Sequence, residues 1–262
     1  MHTKRLFRIS AALITALVLL CVTPAFADQH AHSASASEKP TVLITGANRG
    51  LGLEFARQYA ADGWHVIGTA RNPQRADELK ALSVEIATLD VADPASVAAL
   101  ASSLEGRPID LLINNAGIFP RVTGIEEIDF DDYSRTLAVN TVGPVRVTRA
   151  MLPNLRASDM KTIVNITSRL GSIALTDNGV FYGYRESKAA LNMFTRTLAN
   201  ELKPEGFTCL TIHPGWVQTD MGGENANLTP AESISGMRAV IAERGPEDTG
   251  TYWSYSGEEV PW

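Results

Sequence analysis

The sequence predicts an α/β fold: a single doubly wound domain with a mostly parallel sheet of about seven strands. Three observations carry this. From Pro40 onward, short apolar, β-branched runs alternate with helical patterns, as when strands are covered on both faces by crossover helices. A glycine-rich turn, Gly46 to Gly52, stands directly between the first run and the first helical pattern. No internal repeat or second hydrophobic unit interrupts the alternation, so residues 40–262 read as one domain.

Each element has its own signal. Thr41-Val42-Leu43-Ile44-Thr45 is a strand buried on both faces. The helical pattern after the glycine turn runs through Leu53, Phe55, Ala56, Tyr59 and Ala60, and stops at Asp62-Gly63. Strand His65–Ala70, helix Gln74–Leu82, strand Val84–Thr88, helix Ala95–Leu104 and strand Ile109–Ile113 follow. One long helical stretch is predicted from about Asp131 to Arg156, then strand Thr162–Thr167 and a helix from Tyr184 to about Leu202. Strand Phe207–Ile212, helix Pro230–Arg244 and a last strand from Gly250 to Tyr255 complete the series.

The amino terminus differs in kind. Lys4, Arg5 and Arg8 precede an apolar run, Ala11 to Val22, and Ala25-Phe26-Ala27 offers small residues for cleavage. This is the layout of a secretory signal peptide over residues 1–27, with export to the periplasm or medium as the expectation. An uncleaved anchor through residues 11–23 is the alternative, and would be the only membrane contact. Residues 28–39, rich in Ala, Ser and His, read as a flexible linker. The net charge is −6, and cleavage would leave 20 basic against 29 acidic residues, or −9. With no basic tract in the body of the chain, nucleic acid has no electrostatic footing. Removing Cys21 would leave Cys209 as the one thiol, so no internal disulfide is expected. No cluster with metal-ligand spacing stands out.

The glycine turn suits a phosphate. Gly46, Gly50 and Gly52 let the backbone turn tightly and approach an anion at a helix N-terminus. The end of the second strand, Gly68-Thr69-Ala70-Arg71-Asn72, lacks the carboxylate that would bond a ribose diol. Arg71 and Arg49 are cations that could flank a 2′-phosphate instead, so NADP(H) is the expected cofactor; a solvated surface position is the alternative for each.

Tyr184 and Lys188 lie four residues apart at the start of a helix, on one face. A phenol with pKa about 10 is a poor acid at neutral pH. A neighbouring ammonium is expected to pull it toward the working range. The alternative is an amphipathic helix with a half-buried Tyr and a solvated Lys. Tyr182 makes a poorer partner, because Glu186 stands four residues beyond it.

Together these features resemble the short-chain dehydrogenase/reductase family, over Pro40 to Trp262. Thr45-Gly46-Ala47-Asn48-Arg49-Gly50-Leu51-Gly52 is similar to its cofactor-binding turn, and Asn114-Asn115-Ala116-Gly117 to its second signature. Asn140, Ser168, Tyr184 and Lys188 fall where the family carries a catalytic tetrad. Pro214-Gly215-Trp216-Val217-Gln218-Thr219-Asp220 is similar to its loop after the sixth strand. Tyr182 to Lys188, the run to Gly223 and the ending Gly257 to Trp262 most resemble small carbonyl reductases of the Sniffer and C-factor type.

The resemblance implies a Rossmann-type domain that reduces an aldehyde or ketone with NADP(H), Tyr184 giving the proton. Asp90, with Val91 beside it, would meet the adenine, and Asn115, with Ala116 and Gly117, the adjacent ribose. Asn48 and Leu51 would complete the glycine turn. Pro214, Gly215, Val217 and Thr219 would line the nicotinamide, with Thr219 on its amide. Ser168 would hold the substrate oxygen, Lys188 would bond the ribose, and Asn140 would hold a water linking Lys188 to solvent. Ser168 lies farther from Tyr184 than is usual in the family, and Ser172 is its rival. Phe119, Pro120, Tyr182, Trp216 and Met221 suggest an apolar lining for a small-molecule carbonyl substrate. Family members form homodimers or homotetramers, or stay monomeric. A catalytically silent NADP-binding redox sensor is the competing reading.

Overall fold

The computed structural model describes residues 39–262. The predicted signal peptide and residues 28–38 of the linker lie outside that range.

Seven strands form one sheet: β1 Thr41–Ile44, β2 His65–Ala70, β3 Glu85–Thr88, β4 Leu111–Asn114, β5 Thr162–Ile166, β6 Thr208–His213 and β7 Thr251–Ser254. Their order is β3-β2-β1-β4-β5-β6-β7, and every pair is parallel. The helices are α1 Gly50–Ala61, α2 Asp77–Lys80, α3 Pro94–Ser103, α4 Phe130–Leu137, α5 Gly143–Arg156, α6 Tyr184–Leu202 and α7 Pro230–Glu243.

Strand alternation sorts the apolar side chains into two cores, one per face. Val42 and Ile44 of β1 pack with Phe55 and Tyr59 of α1 and with Ile234 and Met237 of α7. Leu43 faces the other way, among Val97 of α3, Val147 and Met151 of α5, and Leu198 of α6. The strand order reverses between β1 and β4. In open α/β sheets a ligand crevice opens beyond the carboxyl ends of the strands at such a point.

Two predicted helices take a different form. Gln74–Leu82 becomes a 3₁₀ turn, Pro73–Arg75, and the single-turn α2. Pro73 starts the first turn, Asn72 Oδ1 accepts from Gln74 N, and Ser83 ends the region at φ 54°. The long Asp131–Arg156 helix is split by a π-turn, Ala138–Val142. Gly143 N bonds back to Ala138 O, five residues earlier, and Pro144 removes the N–H that a regular helix would give the Asn140 carbonyl.

Candidate active site

The crevice begins with the glycine turn. Gly46 and Gly50 have φ of +67° and +56°, where a side chain is strained. A Cβ on Gly52 would lie 2.2 Å from Gly46 O and 2.6 Å from Asn115 Nδ2. The turn is locked to the end of β4: Thr45 Oγ1 accepts from Asn115 N and Ala116 N at 2.9 and 3.0 Å. Asn115 Nδ2 in turn donates to Thr45 O at 2.9 Å and Gly46 O at 3.1 Å. Arg49, the N-cap of α1, makes no side-chain capping bond, and the first turn of α1 carries no acid. Unpaired N–H groups at a helix start, behind a turn too tight for side chains, suit a dinucleotide pyrophosphate.

The surrounding positions are less uniform. Asn115 was expected on a ribose, yet its amide nitrogen is committed to the glycine turn. Asp90 Oδ1 accepts from Ala92 N at 2.9 Å, and the Val91 carbonyl accepts from Arg146 Nη1 at 2.8 Å. Arg71 is exposed at the end of β2. Arg49, however, pairs with Asp220 at 2.7 Å, and both side chains are largely exposed. Asp220 thus makes the loop bond that takes up the cation expected at the phosphate.

The loop after β6 closes the crevice. Gly215 has φ +85°, and a Cβ there would lie 2.4 Å from Leu228 Cδ1. Pro214 O accepts from Ser233 Oγ at 2.6 Å, and buried Val217 bridges to Leu228. Thr219 Oγ1 accepts from Gly222 N at 3.1 Å, while its methyl faces Gly50.

The predicted tetrad is brought together. Tyr184 opens α6, directly after Gly183 at φ +76°, and is buried. Burial pushes its phenol up to about 12, and a hydrogen bond with the Ser168 hydroxyl is the one opposing influence. Ser168 N-caps a 3₁₀ turn, Arg169–Gly171, with its Oγ accepting from Leu170 N at 3.2 Å. Ser172, the rival, points away and donates to the Pro261 and Trp262 carbonyls. Lys188 is also buried; its Nζ donates to Ile166 O at 2.9 Å and lies 5.8 Å from the Tyr184 ring centre. Burial lowers its pKa to about 8. Burial, not Lys188, sets the phenol here, and burial weakens the cation too.

Asn140 is fully buried in the π-turn. Its Oδ1 accepts from Ile118 N at 2.8 Å, and its Nδ2 donates to Ile118 O at 2.9 Å and Ser187 Oγ at 3.0 Å. The side chain clamps the loop after β4. Gly117 is the meeting point: a Cβ there would lie 3.4 Å from Asn140 Oδ1 and 3.8 Å from Lys188 Nζ.

Residues 40–228 match the family model described as short chain dehydrogenase. The chain belongs to the short-chain dehydrogenase family. C-signal of Myxococcus xanthus is 46% identical over 164 residues, which are 63% of this short-chain dehydrogenase and 99% of that protein. The solved carbonyl reductase Sniffer of D. melanogaster is 33% identical at TM-score 0.81, covering 86% of this chain and all (100%) of that one. An NADPH-bound carbonyl reductase from chicken fatty liver is 37% identical at TM-score 0.79, covering 86% and 99%.

Several features of this short-chain dehydrogenase were not anticipated. Phe119, expected only as lining, sits with its ring centre 4.3 Å from that of Tyr184. Tyr182, expected beside it, instead lines a cavity of about 690 Å³ on the flank of α6, with Ile173, Val180 and Glu186. Trp216 Nε1 donates to Gly222 O at 2.8 Å, and Arg121 Nη2 to Met221 O at 2.8 Å. Arg121 thus ties the loop after β4 to the loop after β6, a contact no motif announces. His213 packs at the end of β6; burial first, then Arg169, lowers its pKa to about 4, so it is neutral. Cys209 is buried, with its thiol pushed up to about 12 by burial. Among the described residues no group of three or more His, Cys, Asp or Glu is placed to hold a metal ion. Nor is any helix among them long and apolar enough to cross a membrane.

Proposed function

We propose that this short-chain dehydrogenase reduces an aldehyde or ketone to an alcohol with NADPH. The observation that carries the reading is the buried Tyr184 phenol, with the Ser168 side chain beside it and Lys188 one turn further along α6. The glycine cradle and the uncapped start of α1 fit a dinucleotide, and a solved relative described as an NADPH-bound carbonyl reductase supports the 2′-phosphate form. When bound, the nicotinamide supplies the hydride.

The chain's own residues do the rest. Ser168 donates a hydrogen bond to the carbonyl oxygen and steadies the charge that grows on it. Tyr184 gives its proton to that oxygen. A phenol held near 12 is fully protonated at neutral pH, the form that reduction needs; an alkoxide is basic enough to take its proton. Lys188 bonds the nicotinamide ribose and returns a proton to Tyr184 from the solvent side. The Asn140 carbonyl, lacking the N–H that Pro144 removes, holds the water of that relay. Arg49 and Arg71 bind the 2′-phosphate, which requires Arg49 to leave Asp220.

NADPH oxidation by the purified protein against a panel of aldehydes and ketones tests the reading; no turnover with any of them refutes it. A second reading is a nucleotide-bound signalling protein. It draws on the relative named C-signal, and predicts NADPH binding without turnover. We also propose export by residues 1–27, for which fractionation is the test.

A further inference from the structure

Behind Ser168 lies a buried polar cluster that the reaction does not touch. Asn192 stands on α6 one turn beyond Lys188 and two beyond Tyr184, so the three share a face. Its Oδ1 accepts from Thr167 Oγ1 at 2.6 Å, and its Nδ2 donates to the Gly171 carbonyl at 3.1 Å. From β7, the Tyr252 hydroxyl donates to the Ser168 carbonyl at 2.7 Å. The residue before the serine, the serine itself and the end of its turn are each held from behind.

Tyr252 is fully buried at 0% exposure, and burial raises its phenol pKa, which keeps it a neutral donor. Its own support comes from the last residues of the chain. Val260 N donates to Tyr252 O at 2.8 Å, and the Trp262 ring lies 5.3 Å from the Tyr252 ring. The Trp262 carbonyl accepts from Ala174 N at 2.9 Å and from Ser172 Oγ at 3.2 Å. The chain end therefore closes over both Tyr252 and the loop that carries Ser168.

We infer that Asn192 and Tyr252 are positioning residues that fix Ser168 against Tyr184, with Val260–Trp262 as the cap that keeps Tyr252 in place. The inference rests on the proposed role of Ser168 in holding the substrate oxygen. A serine hydroxyl turns freely, so its aim depends on its backbone. The loop between β5 and α6 is long, and two buried anchors remove its freedom where the hydroxyl must point.

A double-mutant cycle on the full chain decides it. Tyr252→Phe removes one hydroxyl and keeps the ring. In the wild-type background it lowers kcat about five- to tenfold, as one lost hydrogen bond allows, with KM for NADPH unchanged. In a Ser168→Ala background it lowers kcat no further. An equal fold loss in both backgrounds would mean a merely structural role and would overturn the inference. A second arm needs no substrate: hydrogen exchange at residues 168–175 speeds up in Tyr252→Phe and in a chain lacking Trp262. Unchanged exchange in both removes the clamp whatever the reaction is. Should the wild type reduce no carbonyl, the proposed function falls, while this arm still decides the clamp.

Discussion

Gly52→Ala is the sharpest probe of the cofactor cradle. The added methyl carbon would sit 2.2 Å from Gly46 O and 2.6 Å from Asn115 Nδ2. Carbon and oxygen rarely approach closer than about 3.3 Å, so the Gly46 carbonyl must retreat by about 1 Å. That carbonyl is backbone and is itself held by Asn115 Nδ2, which also holds Thr45 O. Losing those two hydrogen bonds costs about 2 kcal/mol, and overpacking adds about 1–3 kcal/mol. If only the hydrogen-bond part falls on the bound state, nucleotide affinity drops by more than about tenfold. Gly50→Ala is the comparison: it strains φ at +56° but meets nothing nearer than Thr219 Cγ2 at 3.6 Å. Titration of NADPH fluorescence with both variants, alongside thermal unfolding, reads the two effects apart. Gly52→Ala should bind more weakly than Gly50→Ala. Wild-type affinity in Gly52→Ala, or the reverse ranking, would refute the cradle.

Three further predictions probe the rest of the site. Asp220→Asn frees Arg49 and should raise affinity for NADPH severalfold while leaving NADH unchanged; equal effects on both would take Arg49 away from the 2′-phosphate. Ser168→Ala should lower kcat about a hundredfold, whereas Ser172→Ala, which loses its bonds to the Pro261 and Trp262 carbonyls and to Leu175 N, should lower kcat no more than Tyr252→Phe does; steady-state kinetics with the reverse pattern would exchange their roles. Lys188 gives a pH signature. Folded, it loses its proton near pH 8; unfolded, it keeps it to about 10.5, so the unfolded chain binds more protons in between and stability rises with pH. Above pH 9 the raised thiol of Cys209 opposes this, so the clean window is pH 8–9, where denaturant unfolding should gain up to about 1 kcal/mol. Lys188→Met should flatten that rise, and an unchanged slope in the variant would contradict the assignment.

The fold was legible because its signals are local and repeated. Buried β-branched runs such as Val42–Ile44 and the glycine turn between strand and helix each carry their own cause. Tyr184 and Lys188 were paired by their spacing on one helix face, whereas Asn140 and Ser168 were named from the family resemblance. What sequence spacing missed was context. The helix over Asp131–Arg156 hid a π-turn, although Pro144, four residues past Asn140, carries the reason in its missing N–H. The effect of Lys188 on Tyr184 was read from proximity alone, whereas burial of both groups decides the outcome. Asn115 and Arg49 were assigned to the cofactor, but partners distant in sequence, Gly46 by 69 positions and Asp220 by 171, engage them first. Asn192 could have been found, since it extends the Tyr184–Lys188 stripe by one more turn. Tyr252 could not, because nothing in its neighbourhood points to a serine 84 positions earlier.

The most direct test is Tyr184→Phe, assayed for NADPH affinity and for carbonyl reduction on the same preparation. The account predicts unchanged binding, with turnover reduced at least about a thousandfold. Turnover near the wild-type rate would contradict it.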